Sequence, residues 1–167
     1  MMYRGGDLMR QNRIHPALGR FLFLLALVST LTACAPVRHP ADVVGDILAE
    51  APVSFPAGMV ESHLSDDTLI TLFGATAVSE EMAAVESYCI YLASRNGPVE
   101  IAFFQCFGAS GAHTVSRMLL RRADLLAPYL PDGTSAQVAV LGRYVILAVC
   151  EDPDAAIAAA RRALRGS

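Results

Sequence analysis

Apolar residues recur at helical spacing in the stretch that follows Pro40, a residue suited to the first turn of a helix. One face of this predicted helix is apolar and consists of Val43, Val44, Ile47, Leu48 and Ala51. The opposite face carries an acidic stripe made of Asp42, Asp46 and Glu50. Such a stripe is either the solvated side of a surface helix or a surface that meets a cationic partner.

The helical pattern returns in three later stretches. A short helix is predicted between Ser65, a typical N-cap, and Gly74, a typical stop. A longer helix follows the Gly108–Gly111 break and reaches about residue 130, with its buried side made of Val115, Met118, Leu119, Arg122, Leu126 and Tyr129. A closing helix is capped by Asp152, has Pro153 at its first position and ends at Gly166.

Two pairs of β-rich runs lie between these helices, and each pair is joined by a turn that contains glycine. Residues 88–92 and 99–107 flank Asn96-Gly97, and residues 138–141 and 144–150 flank Gly142-Arg143. Asn-Gly between two such runs is a strong signal for a hairpin, and glycine at the first turn position suits a type II′ connection. The stretch Pro56-Ala57-Gly58 is expected to be irregular.

Together these elements predict an α+β domain in the order α-α-β-β-α-β-β-α. Its two hairpins would form a four-stranded antiparallel sheet with helices packed on it, and helices on one face alone would make two layers. The runs at residues 101–104 and 145–149 are apolar on both sides. We therefore expect either that both faces of the sheet are covered or that one face presents an apolar surface to a partner.

The beginning of the chain has the pattern of an export signal. Four arginines precede an apolar run at residues 21–28, and small residues lead to Leu31-Thr32-Ala33-Cys34. The uncharged run from residue 21 to residue 35 is about 15 residues long, whereas a membrane-spanning helix needs about 20. We therefore predict a signal peptide at residues 1–33, a short tether at 34–39 and a single domain at 40–167.

Leu31-Thr32-Ala33-Cys34 resembles the lipobox of bacterial lipoproteins. The resemblance implies cleavage between Ala33 and Cys34 and a diacylglyceryl group on the Cys34 thiol. Two or three acyl chains would give lasting attachment to the extracytoplasmic face of the cell membrane, where one chain would be marginal.

From about Pro40 to Arg165 the chain also resembles the lipoprotein family catalogued as DUF 4358, a domain of unknown function. Besides the lipobox, the resemblance rests on Ala41-Asp42-Val43-Val44, on residues 99–104 and 142–147, and on the alanine-rich helix after Glu151-Asp152. It implies a non-enzymatic role at the membrane and supplies no catalytic residues. The chain departs from the expected pattern because it lacks lysine and has three cysteines in the domain.

Charge argues against one class of partner. All 13 basic residues of the 167-residue chain are arginine, and the part after residue 33 has 9 of them against 15 acids, a net charge of −6. Phosphate backbones and anionic lipid repel a domain that acidic, so we expect no nucleic-acid partner. The overall mean hydropathy of +0.43 is raised by the leader.

Three cysteines remain if Cys34 is lipidated, an odd number for an exported protein. A two-residue Asn96-Gly97 loop would place Cys89 opposite Phe104, with Cys106 as a diagonal neighbour on the same face at about 7–8 Å. That separation is too long for an unstrained disulfide, although a shift by two residues would pair the thiols. We therefore expect buried free thiols that pack as small apolar groups, and thiol chemistry at Cys89, Cys106 or Cys150 stays open.

The remaining polar residues match no local signature for catalysis, cofactor binding or metal binding. His39, His63 and His113 are predicted in the tether, a loop and a helix start, and Gly108–Gly111 is expected to be a plain strand-to-helix connection rather than an anion site. The acid pairs Asp66-Asp67 and Glu80-Glu81 are explained by capping and solvation, although such pairs can hold Ca²⁺ weakly.

These observations favour a membrane-anchored binding or accessory module that meets a protein or envelope partner. The alternatives are a small thiol-active enzyme and a lipoprotein that carries a small ligand, the last of which would need a sizeable apolar cavity between sheet and helices.

Overall fold

The structure is a computed structural model that describes residues 37–50, 55–93 and 99–166. The predicted signal peptide, the cleavage site at Ala33 and Cys34, and the Asn96-Gly97 turn lie outside these residues. The elements in chain order are α1 (Pro40–Glu50), β1 (Gly58–Glu61), α2 (Asp66–Phe73), α3 (Glu80–Ala83), β2 (Val85–Ala93), β3 (Glu100–Cys106), α4 (Ala109–Leu126), a 3₁₀ turn (Ala127–Tyr129), β4 (Ser135–Leu141), β5 (Tyr144–Cys150) and α5 (Pro153–Arg165).

The described strands form one antiparallel sheet in the order β1-β2-β3-β5-β4. The two predicted hairpins are present as β2–β3 and β4–β5, and they join through the β3–β5 pairing. The prediction of a mixed α+β domain is confirmed. The sheet has a fifth strand, β1, and the domain has a further short helix, α3, and the sequence pattern predicted neither. All four β1 residues are exposed, so β1 has no alternation of buried and exposed positions that a pattern could show.

Helices cover both faces of the sheet, which makes three layers. On one face α1 and α5 pack on the strands through Val43, Val44, Ile47, Ile157 and Ala160. On the other face α2 and α4 pack through Leu69, Phe73, Val115, Met118 and Leu119. Every residue of β3 and β5 is buried as a result, and this explains why both strands are apolar on both sides. No bare apolar face is therefore present on these two central strands.

Local capping matches the sequence signals closely. The Ser65 hydroxyl accepts a hydrogen bond from the Thr68 N–H at 3.3 Å, and Gly74 ends α2 with a φ of +63°. The Asp152 carboxylate accepts from the Ala155 N–H at 2.9 Å at the start of α5. Gly142, in the β4–β5 turn, has a φ of +67°, as the predicted glycine turn requires.

The register of β2 against β3 corrects one prediction. Cys89 pairs with Phe103 and not with Phe104, a difference of one residue from the register of a two-residue Asn96-Gly97 loop. Side chains alternate between the two faces of a strand, so a shift of one residue in the pairing changes which residues of the two strands share a face. Cys89 lies on the α1/α5 face and Cys106 on the α4 face, so the expected diagonal contact between them is wrong.

The long helix also ends earlier than predicted. α4 ends at Leu126 and is followed by the 3₁₀ turn Ala127–Tyr129. Pro128 explains the change, because a proline ring clashes with the carbonyl four residues earlier and its nitrogen has no proton to donate. Tyr129 is 75% exposed and does not belong to the buried side of the helix, whereas Val115, Met118, Leu119 and Leu126 do.

Candidate functional site

An open cleft of about 330 Å³ lies beside the residues that immediately follow β1. Its polar lining consists of His39, Ser62, His63, Glu86, Ser87 and Tyr88. Its apolar lining consists of Leu64, Leu69, Ala77, Met82 and Val85. A concave site with apolar walls and a few polar groups is the usual form of a binding site for a small molecule or a side chain.

Tyr88 is held in the cleft wall by a ring contact and by a hydrogen bond. Its ring stacks on Phe104 with centroids 5.4 Å apart, and its hydroxyl oxygen accepts a hydrogen bond from the Leu64 N–H at 2.8 Å. A phenol oxygen that accepts one bond still has its own proton to donate. The Leu64 bond therefore ties the segment after β1 to β2 and leaves the Tyr88 O–H as a donor.

Glu86 is held by one group from the neighbouring strand β3 and by one from the β4–β5 turn. Arg143, in the β4–β5 turn, forms an ion pair with its carboxylate, and the Gln105 side-chain N–H donates to Glu86 Oε2 at 2.8 Å. Gln105 Oε1 in turn accepts from the Ser87 hydroxyl at 3.4 Å. The network fixes this wall of the cleft, and the cation beside Glu86 compensates much of its charge.

The last residues of the predicted tether are attached to the folded body. The Arg38 guanidinium forms an ion pair with Asp46 of α1 at 2.6 Å, and the Tyr144 hydroxyl donates to the Arg38 carbonyl oxygen at 3.4 Å. His39 is thereby placed in the cleft wall, directly before the first helical residue. Asp46 and Glu50 of the acidic stripe both have arginine partners, since Glu50 pairs with Arg162 of α5.

The three thiols of the domain are free and buried. Burial raises the pKa of Cys106 and that of Cys150 to about 11. Burial also raises the pKa of Cys89, against the opposing effect of a hydrogen bond with Ser62. Because the thiolate is the nucleophile, a buried thiol with a raised pKa is a poor one. This arrangement favours the interpretation of these cysteines as packing groups.

A buried ion pair joins α4 to the sheet. Glu100, the first residue of β3, is 1% exposed, and Arg122 donates to its Oε2 from Nε at 3.2 Å and from Nη2 at 2.8 Å. Glu100 Oε1 has no hydrogen-bond partner among the described residues. Burial raises the pKa of Glu100, although the bonds from Arg122 act in the opposite direction. Arg122, predicted on the buried side of its helix, therefore has a buried carboxylate as its partner.

The other candidate groups have structural roles. Asp66 Oδ1 accepts from the Ala77 N–H at 3.1 Å, and Ser79 caps α3. A hydrogen bond from Arg121 lowers the pKa of Glu81. Across residues 37–50, 55–93 and 99–166, no three His, Cys, Asp or Glu side chains converge on a point that could hold a metal ion. In the same ranges no helix has the length and apolar character needed to cross a bilayer.

The structure thus brings together groups that are distant in the sequence. His39 and His63 are 24 positions apart and line one cleft, whereas His113 is exposed on α4 and does not line it. Ser62, Glu86, Ser87 and Tyr88 were not singled out from the sequence. No local motif could have identified them, because the β1–β2 pairing is what places them beside one another.

Comparison with known proteins adds no assignment: no family model, no curated protein and no solved structure matches the chain.

Proposed function

We propose that this protein is a bacterial lipoprotein, anchored through Cys34 to the extracytoplasmic face of the cell membrane, that acts as a binding or accessory module for a protein or envelope partner. The observation that carries the proposal is the order of arginines, apolar run and Leu31-Thr32-Ala33-Cys34 at the start of the chain. The resemblance to the DUF 4358 lipoproteins agrees with it and rests on the lipobox together with packing and turn patterns.

The small number of residues between Cys34 and Arg38 supports a role at the membrane surface. Arg38 is already held by Asp46 and Tyr144, so three residues separate it from Cys34. Four extended residue steps span at most about 14 Å. A body tethered that closely would work beside the bilayer, and its partner would be a membrane or envelope component within the same reach.

Lipidation is tested by expressing the full chain in a bacterium and measuring the mass of the mature protein. We expect a chain that begins at Cys34, carries a diacylglyceryl group and enters the detergent phase on partitioning. Cys34→Ala should abolish the lipid mass, whereas Cys150→Ala, which removes a thiol outside the leader, should retain it. An unmodified thiol at residue 34 in the wild-type chain would contradict the proposal.

A second candidate function is the binding of a small polar ligand in the cleft. The observation that favours it is the Tyr88 hydroxyl, which accepts a hydrogen bond from the Leu64 N–H and still has its own proton to donate, in a cleft that two imidazoles and apolar side chains also line. The cleft lies between β2 and the helices α2 and α3, but it is open and has several polar groups in its lining, so it differs from the sizeable apolar cavity expected of a small-ligand carrier. Ligand-dependent shifts of the His39 and His63 ring signals in NMR spectra, abolished by Tyr88→Phe, would support this function.

A further inference from the structure

The outer edge of β1 is free among the residues that the structure describes. β1 is the terminal strand of the sheet and pairs with β2 on one side only. A free strand edge presents a row of unpaired N–H and C=O groups that can bind another extended chain. Met59 is 58% exposed and Val60 is 51% exposed, so side chains at this edge are accessible as well.

The pairing of β2 identifies which β1 groups face outward. The Ala93 N–H donates to the Val99 carbonyl at 3.0 Å, so Ala93 turns its backbone groups toward the β3 side. In an antiparallel ladder this direction alternates, and Leu92 therefore turns its groups toward β1, where it pairs with Met59. The next β1 residue, Val60, has its N–H and C=O directed away from the sheet.

The cleft continues directly from this edge. Ser62, His63 and Leu64 line the cleft and are the first residues after β1 ends at Glu61. A chain added along β1 would therefore run toward the cleft and could place one side chain in it. Backbone bonds along an edge strand combined with an adjoining pocket are the way in which strand-addition domains obtain both affinity and specificity.

The negative charge of the segment around β1 indicates which kind of chain binds at the β1 edge. Residues 55–93, which include β1 and most of the cleft, contain six carboxylates and no arginine or lysine. Glu81 and Glu86 are paired with Arg121 and Arg143 from other elements, but Glu61 is exposed on β1 itself. Two copies of the same acidic segment would repel one another, whereas an extended chain with basic residues is complementary to it.

We propose that the β1 edge binds an extended, basic peptide segment of an envelope protein by strand addition, with one side chain of the peptide in the cleft. This inference deepens the proposed function and rests on it for the location of the partner. The binding itself needs only the folded domain, so it can succeed or fail independently of lipidation at Cys34.

The test uses the full mature lipoprotein in non-ionic detergent and a fluorescein-labelled decapeptide of alternating lysine and valine. Fluorescence anisotropy at low salt should show saturable binding, and a glutamate–valine decapeptide should bind at least about tenfold more weakly because of the charge. The Cys34→Ala chain should bind the basic peptide as the wild type does, which separates this result from the test of lipidation.

Val60→Pro is the decisive variant. Proline is tolerated on edge strands where its nitrogen faces solvent, so the substitution removes the outward N–H without removing a bond to β2. We expect peptide affinity to fall about tenfold or more, whereas Val60→Ala, which keeps the N–H, should stay within about threefold of the wild type. Circular dichroism melting of the same samples checks that the sheet is intact.

Glu61→Arg supplies an independent variant if Val60→Pro fails to fold. It should weaken binding of the basic peptide and strengthen that of the acidic one. Absence of saturable binding to the wild-type protein, or affinity unchanged by both Val60→Pro and Glu61→Arg, would overturn the proposal. So would a concentration-dependent dimer that Val60→Pro abolishes, because the edge would then belong to a second copy of the chain.

Discussion

Replacement of Arg122 by methionine would leave the carboxylate of Glu100 buried without a counterion. Both hydrogen bonds that Glu100 Oε2 accepts come from the Arg122 guanidinium, and Oε1 has no partner among the described residues. Methionine retains the apolar stem of the arginine and lacks its guanidinium, so the contacts that the stem makes between α4 and the sheet change little. The substitution therefore isolates the electrostatic contribution of the pair.

The magnitude follows from the cost of neutralising the carboxyl group. A carboxyl whose ordinary pKa is about 4.3 takes up a proton at a cost of about 1.4 kcal/mol for each pH unit above that value. The cost therefore reaches about 3.7 kcal/mol at pH 7 and about 1 kcal/mol at pH 5. These are upper bounds on the difference from wild type, because burial already raises the pKa of Glu100 when Arg122 is present.

The sign of the pH dependence follows from the same shift. A raised pKa means that the folded state binds the Glu100 proton more tightly than the unfolded state does. The favourable contribution is complete below the unfolded pKa and is lost as pH rises through the folded one. Removal of Arg122 raises that folded pKa further, so the stability of the variant should fall more steeply than that of the wild type between pH 5 and pH 7.

Urea unfolding followed by circular dichroism at both pH values measures the effect. Arg121→Met is the matched control, because Arg121 is 54% exposed in its ion pair with Glu81 and should contribute less than about 1 kcal/mol. Glu100→Met in the Arg122→Met background should restore most of the stability, since apolar replacement of a whole buried pair is often neutral or better. A loss below about 1 kcal/mol at pH 7, or equal losses at both pH values, would refute the reasoning.

Three further predictions concern local structure. Gly58→Ala should destabilise the β1–β2 pairing and speed hydrogen exchange there, because its Cβ would lie 2.4 Å from the Leu92 carbonyl oxygen, whereas Gly45→Ala, with nothing within 4 Å, should stabilise α1 by about 0.5–1 kcal/mol. Asp152→Ala should lower the free energy of unfolding by about 1 kcal/mol through loss of the α5 cap, with Asp154→Ala as the control. The three buried thiols should react with a thiol reagent only in denaturant, and rapid reaction of any of them in the folded protein would contradict their assignment as packing groups.

Local signals predicted the parts of this fold that depend on a few neighbouring residues. Ser65 and Gly74 delimit α2, Asp152 begins α5, and Gly142 occupies the second hairpin turn as expected. Each of these signals acts through a hydrogen bond or a backbone angle among residues that are close in the sequence. It can therefore be recognised without knowledge of the rest of the molecule. Apolar periodicity likewise identified the buried faces of α1 and α4.

The candidate site is formed by contacts between residues that are distant in the sequence, and no local sequence pattern predicts such contacts. β1 is exposed throughout and becomes a strand only because β2 offers it an edge to pair with. That pairing brings Ser62 and His63 beside Glu86 and Tyr88, and the bonds of Arg38 to Asp46 and Tyr144 bring His39 to the same cleft.

What the amino-acid sequence determined by itself was four of the five described helices, the two hairpins, the acidic balance of the domain and the pattern that predicts an anchor at Cys34. Only the tertiary structure decided that both sheet faces are covered, that Cys89 and Cys106 face opposite layers and that Glu100 is the partner of Arg122. The physical reason is that strand register and helix placement are set by the packing of distant segments against one another, and a shift of one residue exchanges the two faces of a strand.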